Sequence, residues 1–247
     1  MSSTAIVIPA RLDSVRFPGK LLLKWKDKEI LRHVFETASV LSSRNVEVWV
    51  ATDNHSIKEC VESWGGNVFI SSGKMRNGTE RIQDFAQKNP HDFYINVQGD
   101  DPTISIAVLE ATCKSIKESQ FAVVTPHYRI NSLETLIDPN KVKLVKNQSD
   151  KVLYFSRSAI PYFFTDRNAS PQGGLDSNDH YGHIGVYGYT QEALHRYASF
   201  SESRLESSEK LEQLRFLENS IDIGTFQVDF TPNSIDCIED LEKLERC

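Results

Sequence analysis

Short apolar runs rich in β-branched residues alternate with stretches of helical period through the first half of the chain, which predicts βαβ units around a largely parallel sheet. Thr4 to Ile8 is the first such run. Leu31, Val34, Phe35, Ala38 and Leu41 share one face of a helix expected over 30–41, and Val46 to Ala51 reads as the next strand, with Asp53 just beyond its end. Ser56 is placed to cap a helix carrying Ile57, Cys60, Val61 and Trp64, which Gly65 and Gly66 would end. Strands follow at 67–71, 93–97 and 121–125, with helices at 79–88 and 105–118 between them.

The pattern changes after Pro126. Val142 to Val145 and Val152 to Phe155 flank a polar turn and predict an antiparallel hairpin, so the sheet should be mixed. Residues 164–182 have turn composition and read as a long loop. A strand is expected at 184–189, a helix at 209–218, a strand at 226–230 and a terminal helix at 238–244. With no repeat and no Pro/Gly linker, the chain reads as one α/β domain: a mixed, mainly parallel sheet flanked by helices, with a small inserted antiparallel hairpin region.

Composition narrows the class. The 247 residues are enough for a sizeable core, and a net charge of −6 argues against a protein that coats nucleic acid. No window approaches the twenty apolar residues of a membrane span, and the six-residue apolar run Ala5 to Ala10 is short for a secretory signal. Cys60, Cys113, Cys237 and Cys247 are scattered, which suits reduced thiols in a cytoplasmic protein.

Four constellations carry candidate chemistry. Pro9 to Lys20 leaves the carboxyl end of the first strand, where open α/β sheets bind ligands, and Arg11, Arg16 and Lys20 there suit a triphosphate; the same charges would also serve a solvated loop. Asn96 to Pro102 follows another strand, and Asp100, with Asp101 as helper, suits Mg2+; a turn capped by aspartates is the plainer reading. Asn77 to Arg81 opens a helix, with Gly78 allowing close approach of a ligand. In the second half, Arg157 suits a carboxylate, His183 and Tyr187 suit hydroxyls, and Asp236 suits a second metal bond, while a glutamate such as Glu212 in an amphipathic helix is more often a solvated face and a lone histidine beside an apolar strand more often structural.

In chain order these segments resemble the CMP-Kdo synthetase (3-deoxy-manno-octulosonate cytidylyltransferase) family along nearly the whole chain. The resemblance rests on Pro9 to Leu22, Val50 to Asp53 (VATD), Gly78 to Arg81 (GTER), Asn96 to Asp100 (NVQGD), Tyr154 to Pro161, His183 to Tyr189 and Leu211 to Arg215 (LEQLR). It implies a nucleotide-diphospho-sugar transferase fold with a nucleotide-binding half over about 1–125, and sugar-binding and dimerisation elements over 126–247. It also implies Mg2+ as cofactor, CTP and an acidic octulosonic sugar as substrates, a homodimer, and a role in lipopolysaccharide or capsule synthesis.

By the same resemblance Arg11 and Lys20 hold the triphosphate with Ser14 and Arg16 nearby, and Ala10, Asn77, Gly78, Thr79 and Gln98 line the cytidine site. Asp100 and Asp236 hold the metal, while Arg157, His183, Tyr187, Glu212 and Gln213 face the sugar acid. Arg11, Lys20 and Asp100 are the expected catalytic groups. Three departures bear on the sugar: Asp101-Pro102 stands for Glu-Pro, Asn77 for a common serine, and the turn around Asp236 has lost Thr and Pro. Rival readings are the 8-amino-3,8-dideoxy sugar, to which Glu206, Glu209 and Glu212 would offer carboxylates, a nonulosonic acid, and a non-catalytic nucleotide-binding regulator.

Overall fold

The computed structural model describes residues 2–12, 17–73, 75–162, 180–232, 235 and 238–245. Its centre is a ten-stranded mixed sheet. The strands in chain order are β1 (Thr4–Ala10), the small pair β2 (Lys24–Trp25) and β3 (Lys28–Glu29), β4 (Val46–Thr52), β5 (Asn67–Ile70), β6 (Phe93–Asn96), β7 (Val123–Arg129), β8 (Lys143–Lys146), β9 (Val152–Ser156), β10 (Tyr181–His183), β11 (Tyr187–Thr190) and β12 (Ile223–Gln227). Apart from the β2–β3 pair, the order is β5-β4-β1-β6-β11-β7-β10-β8-β9, with β12 on β7.

The first four strands of that order are parallel. From β11 onward pairing is antiparallel except for β12 on β7. The expected hairpin β8–β9 is present, and it forms the outer edge of the main sheet through β10.

β1 shows why a near-continuous apolar run is needed at the centre. Ile6 and Ile8 pack on one face with α1 (Ile30–Ser39), α2 (His55–Ser63) and α4 (Ile106–Glu118). Ala5 and Val7 pack on the other with α3 (Gly78–Lys88) and the helix Gln191–Ala198. Covered on both sides, this strand has no solvent face to make polar. Each fully buried Ile contributes about 1.5–3 kcal/mol by leaving water.

The differences from the sequence expectations have local causes. Asn54, not Ser56, caps α2, because its side-chain oxygen accepts from Ile57 N at 3.1 Å. The strand expected at 184–189 is two strands with a break at Ile184 to Val186, and the expected loop ends earlier, since Tyr181 and Gly182 belong to β10; residues 164–179 of that loop lie outside the described residues. The helix expected at 209–218 is split into Arg204–Glu209 and Leu214–Glu218 by Lys210, whose φ of 54° ends the first piece in a left-handed cap. β12 starts at Ile223 because it follows the register of β7.

Candidate active site

The parallel strands end on one side of the sheet, and the loops that leave them open a cleft of about 910 Å³. β1 delivers Pro9, Ala10 and Arg11, and the segment after β6 delivers Val97, Gln98, Gly99 and Asp100. Gly99 allows this close approach, since a Cβ there would sit 3.1 Å from Leu31 Cδ1 and 3.4 Å from the carbonyl of Pro9. Gly19, with φ of 74°, turns the chain into the short 3-10 helix Lys20–Leu22 and sends Lys20 inward.

Lys20 is 7% exposed, and its Nζ donates to Asp100 Oδ2 at 2.6 Å and to the carbonyl of Ile235 at 2.7 Å. Asp100 Oδ1 takes no hydrogen bond among the described residues. Ile235 N donates in turn to the Asp100 carbonyl, which ties the chain just before position 236 to the Asp100 peptide. Asp101 does not join them: it is buried, its Oδ1 accepts from Thr103 N and Oγ1, and burial raises its pKa. Arg11 stands exposed at the rim. Ser14, Arg16 and Asp236 lie outside the described residues.

The second wall begins at the N-terminus of α3. Asn77 caps that helix by accepting from Glu80 N, and its Nδ2 donates to Tyr197 Oη. Gly78 lines the cleft beside Pro9. Thr79 does not line it: at 1% exposure it is buried behind, and both its N–H and its hydroxyl donate to Glu212 Oε1, at 3.2 and 2.6 Å.

Glu212 is therefore no solvated helix face. The break after Lys210 carries it out of helical register and onto the α3 N-terminus, where the helix dipole and two donors meet a carboxylate. Among the described residues no cation pairs with it, and burial raises its pKa.

The antiparallel half supplies the far end. His183 packs edge-on against Phe155 and beside Tyr187, and burial lowers its pKa to about 3. The Tyr187 hydroxyl is buried with no partner among the described residues. Arg157 Nε donates to the Glu209 carbonyl at 2.8 Å and Nη1 to the Pro139 carbonyl at 3.0 Å, while Glu209 Oε2 accepts from Arg157 N. Those bonds aim the guanidinium, and its Nη2 has no hydrogen-bond partner among the described residues. Gln213, Gly185 and Gln98 complete this wall.

Sequence reasoning passed over Arg81. It is 3% exposed, lines the cleft, and is held by Asp53 Oδ2 at 3.1 Å and Ser71 Oγ at 3.3 Å. The signal was in the VATD and GTER segments, whose last residues form this pair. Also passed over was Arg215, whose guanidinium bonds both oxygens of buried Glu206 and reaches Glu80.

One cleft thus joins a strand end bearing Arg11, Lys20 and Asp100 to a wall in which His183 and Tyr187 stand with the charged Arg157. The family model described as Cytidylyltransferase matches residues 5–223. The chain belongs to the cytidylyltransferase family. This cytidylyltransferase is 40% identical to the 3-deoxy-manno-octulosonate cytidylyltransferase of Thermodesulfovibrio yellowstonii, over 99% of this chain and 97% of that one. It is 38% identical to the 8-amino-3,8-dideoxy-manno-octulosonate cytidylyltransferase of Shewanella frigidimarina, over 97% and 96%. Among solved structures it is similar to a CMP:2-keto-3-deoxy-manno-octonic acid synthetase complexed with CTP, with a TM-score of 0.88 and 36% identity over 99% of this chain and 98% of that one.

Proposed function

We propose that this cytidylyltransferase transfers CMP from CTP to the anomeric hydroxyl of a Kdo-type 3-deoxy-octulosonic acid and releases pyrophosphate. The observation that carries the reading is the single cleft in which Arg11, Lys20 and Asp100 stand at one end and Arg157, His183, Tyr187 and Gln213 at the other. The names of the similar proteins support the substrate pair.

In this reading Lys20 and Arg11 hold the β- and γ-phosphates, and their charge stabilises the pyrophosphate as it leaves. Ala10, Asn77, Gly78 and Gln98 line the base site, with Arg81 behind them as a fixed cation. Arg157 holds the sugar carboxylate and the far wall orients the ring, so that the anomeric oxygen attacks the α-phosphorus in line. Positioning accounts for much of the rate, because the bond exchange needs no covalent enzyme intermediate.

The donor set fits Mg2+. Asp100 offers a hard carboxylate oxygen on the cleft, and a cation that keeps several waters and takes phosphate oxygens needs only one or two such ligands. Asp100 would hold it with Asp236, and when bound it would neutralise phosphate charge and make the attacking hydroxyl more acidic. The reading includes a homodimeric, cytoplasmic enzyme that supplies activated octulosonate for lipopolysaccharide or capsule synthesis.

The 8-amino sugar is the second reading, and Glu212 is the observation that favours it. Glu206 is bonded to Arg215, and Glu209 to Ser156 and Arg157, whereas Glu212 accepts from Thr79 through Oε1, which leaves its Oε2, of these three glutamates, to meet an ammonium group. Phosphorus NMR and mass spectrometry of the product, with Kdo, its 8-amino analogue and a sialic acid in competition, separate the readings. A CMP-octulosonate product is expected. A CMP-sialate product from that mixture sinks the octulosonate assignment.

A further inference from the structure

The break between β10 and β11 takes the carbonyls of Ile184 and Val186 out of regular pairing, and the side chain of Thr125 on β7 meets them. Thr125 Oγ1 lies 2.8 Å from the Val186 oxygen, 3.2 Å from the Ile184 oxygen and 3.2 Å from His183 Nε2. A hydroxyl carries one hydrogen and a carbonyl can only accept. The Thr125 hydrogen therefore belongs to the carbonyls, and its oxygen serves His183 only as an acceptor. Nε2 must carry the imidazole proton.

His127 lies opposite His183 in the register of β7 and β10, and it obeys the same logic. Thr225 Oγ1 donates to the Thr125 carbonyl at 2.8 Å, so it accepts from His127 Nδ1 at 2.7 Å. The two rings are held by two threonines with opposite nitrogens protonated. Burial keeps both neutral, at pKa values of about 3 for His183 and about 4 for His127. His183 lines the cleft, and its Nδ1 has no hydrogen-bonding partner among the described residues.

We propose that Thr125 is a positioning residue that locks His183 as its Nε2–H tautomer, so that Nδ1 meets the sugar acid as an acceptor and selects a hydroxyl there. This divides the work at that end of the cleft: Arg157 takes the carboxylate, and His183, which has no proton to offer on its cleft side, rejects an acceptor at that position. The inference rests on the sugar-binding reading of this wall.

The test uses the full-length protein labelled with 15N-histidine, with proton–nitrogen long-range correlation spectra at neutral pH. Wild type and Thr125→Ser should show His183 as the Nε2–H form, and Thr125→Val should show a mixture. The Val variant should raise the sugar-acid KM about fivefold, the worth of one ordered hydrogen bond, with the CTP KM unchanged and the Ser variant near wild type. Saturating wild type with the sugar acid should shift the Nδ1 resonance as a new acceptor does.

A wild-type spectrum of the Nδ1–H form overturns the proposal, even if the Val variant does not fold. So does an unmoved Nδ1 resonance with sugar bound, or a mixed tautomer in the Val variant with unchanged KM. Failure of the functional reading looks different: the spectrum shows the Nε2–H form while wild type neither binds nor activates any octulosonate.

Discussion

The two ends of the cleft solve opposite electrostatic problems. At the end built on the parallel strands, Lys20 is neutralised by Asp100 and a main-chain carbonyl, an internal pair that a triphosphate and a divalent cation would take apart. At the end built on the antiparallel strands, His183 and Tyr187 are uncharged and desolvated, and Glu212 is pushed towards its neutral form. Charge there includes Arg157, held by carbonyls, with Asp138, Lys141 and Lys210 also on the cleft lining. In the proposed function one end would exchange ion pairs with its ligand and the other would read hydrogen-bond donors and acceptors, where a wrong partner leaves a buried polar group unpaired.

The largest effect expected from breaking the first end is that of Asp100→Asn. Turnover should fall below detection at any Mg2+ concentration while circular dichroism and the thermal midpoint stay near wild type. Near-normal activity would remove Asp100 from the proposed metal site.

Next comes the structural boundary between the ends. Arg215→Met leaves buried Glu206 without its cation and should lower unfolding free energy by about 3–5 kcal/mol in urea titrations. A loss under 1 kcal/mol would show the pair to be solvated in solution.

Arg157→Lys replaces the planar guanidinium with a point charge and should raise the sugar-acid KM roughly tenfold, leaving the KM for CTP alone. Equal changes in both constants would blur the distinction between the ends.

The smallest effect concerns Glu212 and has a defined sign. Its pKa is raised in the folded state, so the stability it contributes is present below the ordinary value of 4.5 and is lost as pH rises through the folded value. Glu212→Gln keeps an acceptor for Thr79 and cannot ionise. Its melting temperature should exceed that of wild type at pH 8, by about 2–4 °C for each kcal/mol relieved, and the difference should close below pH 4.5. A destabilised variant at pH 8 would mean that an unseen cation holds the carboxylate.

The same contrast explains what the sequence made legible. The parallel half reads well because each strand is an apolar run between helices, and its candidate ligand groups sit within a few residues of a strand end: Arg11 after β1, Asp100 after β6. Arg81 was in view as a motif residue, but its role depends on Asp53 and Ser71, which only the sheet brings to it.

In the antiparallel half, local signals mislead. The run from Ile184 to Tyr189 is apolar enough for one strand, yet β10 and β11 have different outer neighbours, β8 and β6, and the chain must kink between them. The stretch from Glu209 to Glu218 has helical composition, and the left-handed Lys210 that breaks it has no glycine to announce it. Glu212 owes its place to that break. Its bonds to Thr79, 133 positions away, lie beyond any local pattern.

Pyrophosphate release measured with CTP, Mg2+ and Kdo, each present or withheld, tests the joined cleft most directly. Release that requires all three together is the predicted result. Release from CTP without the sugar acid, or none with all three present, would contradict a cleft in which both ends serve one transfer.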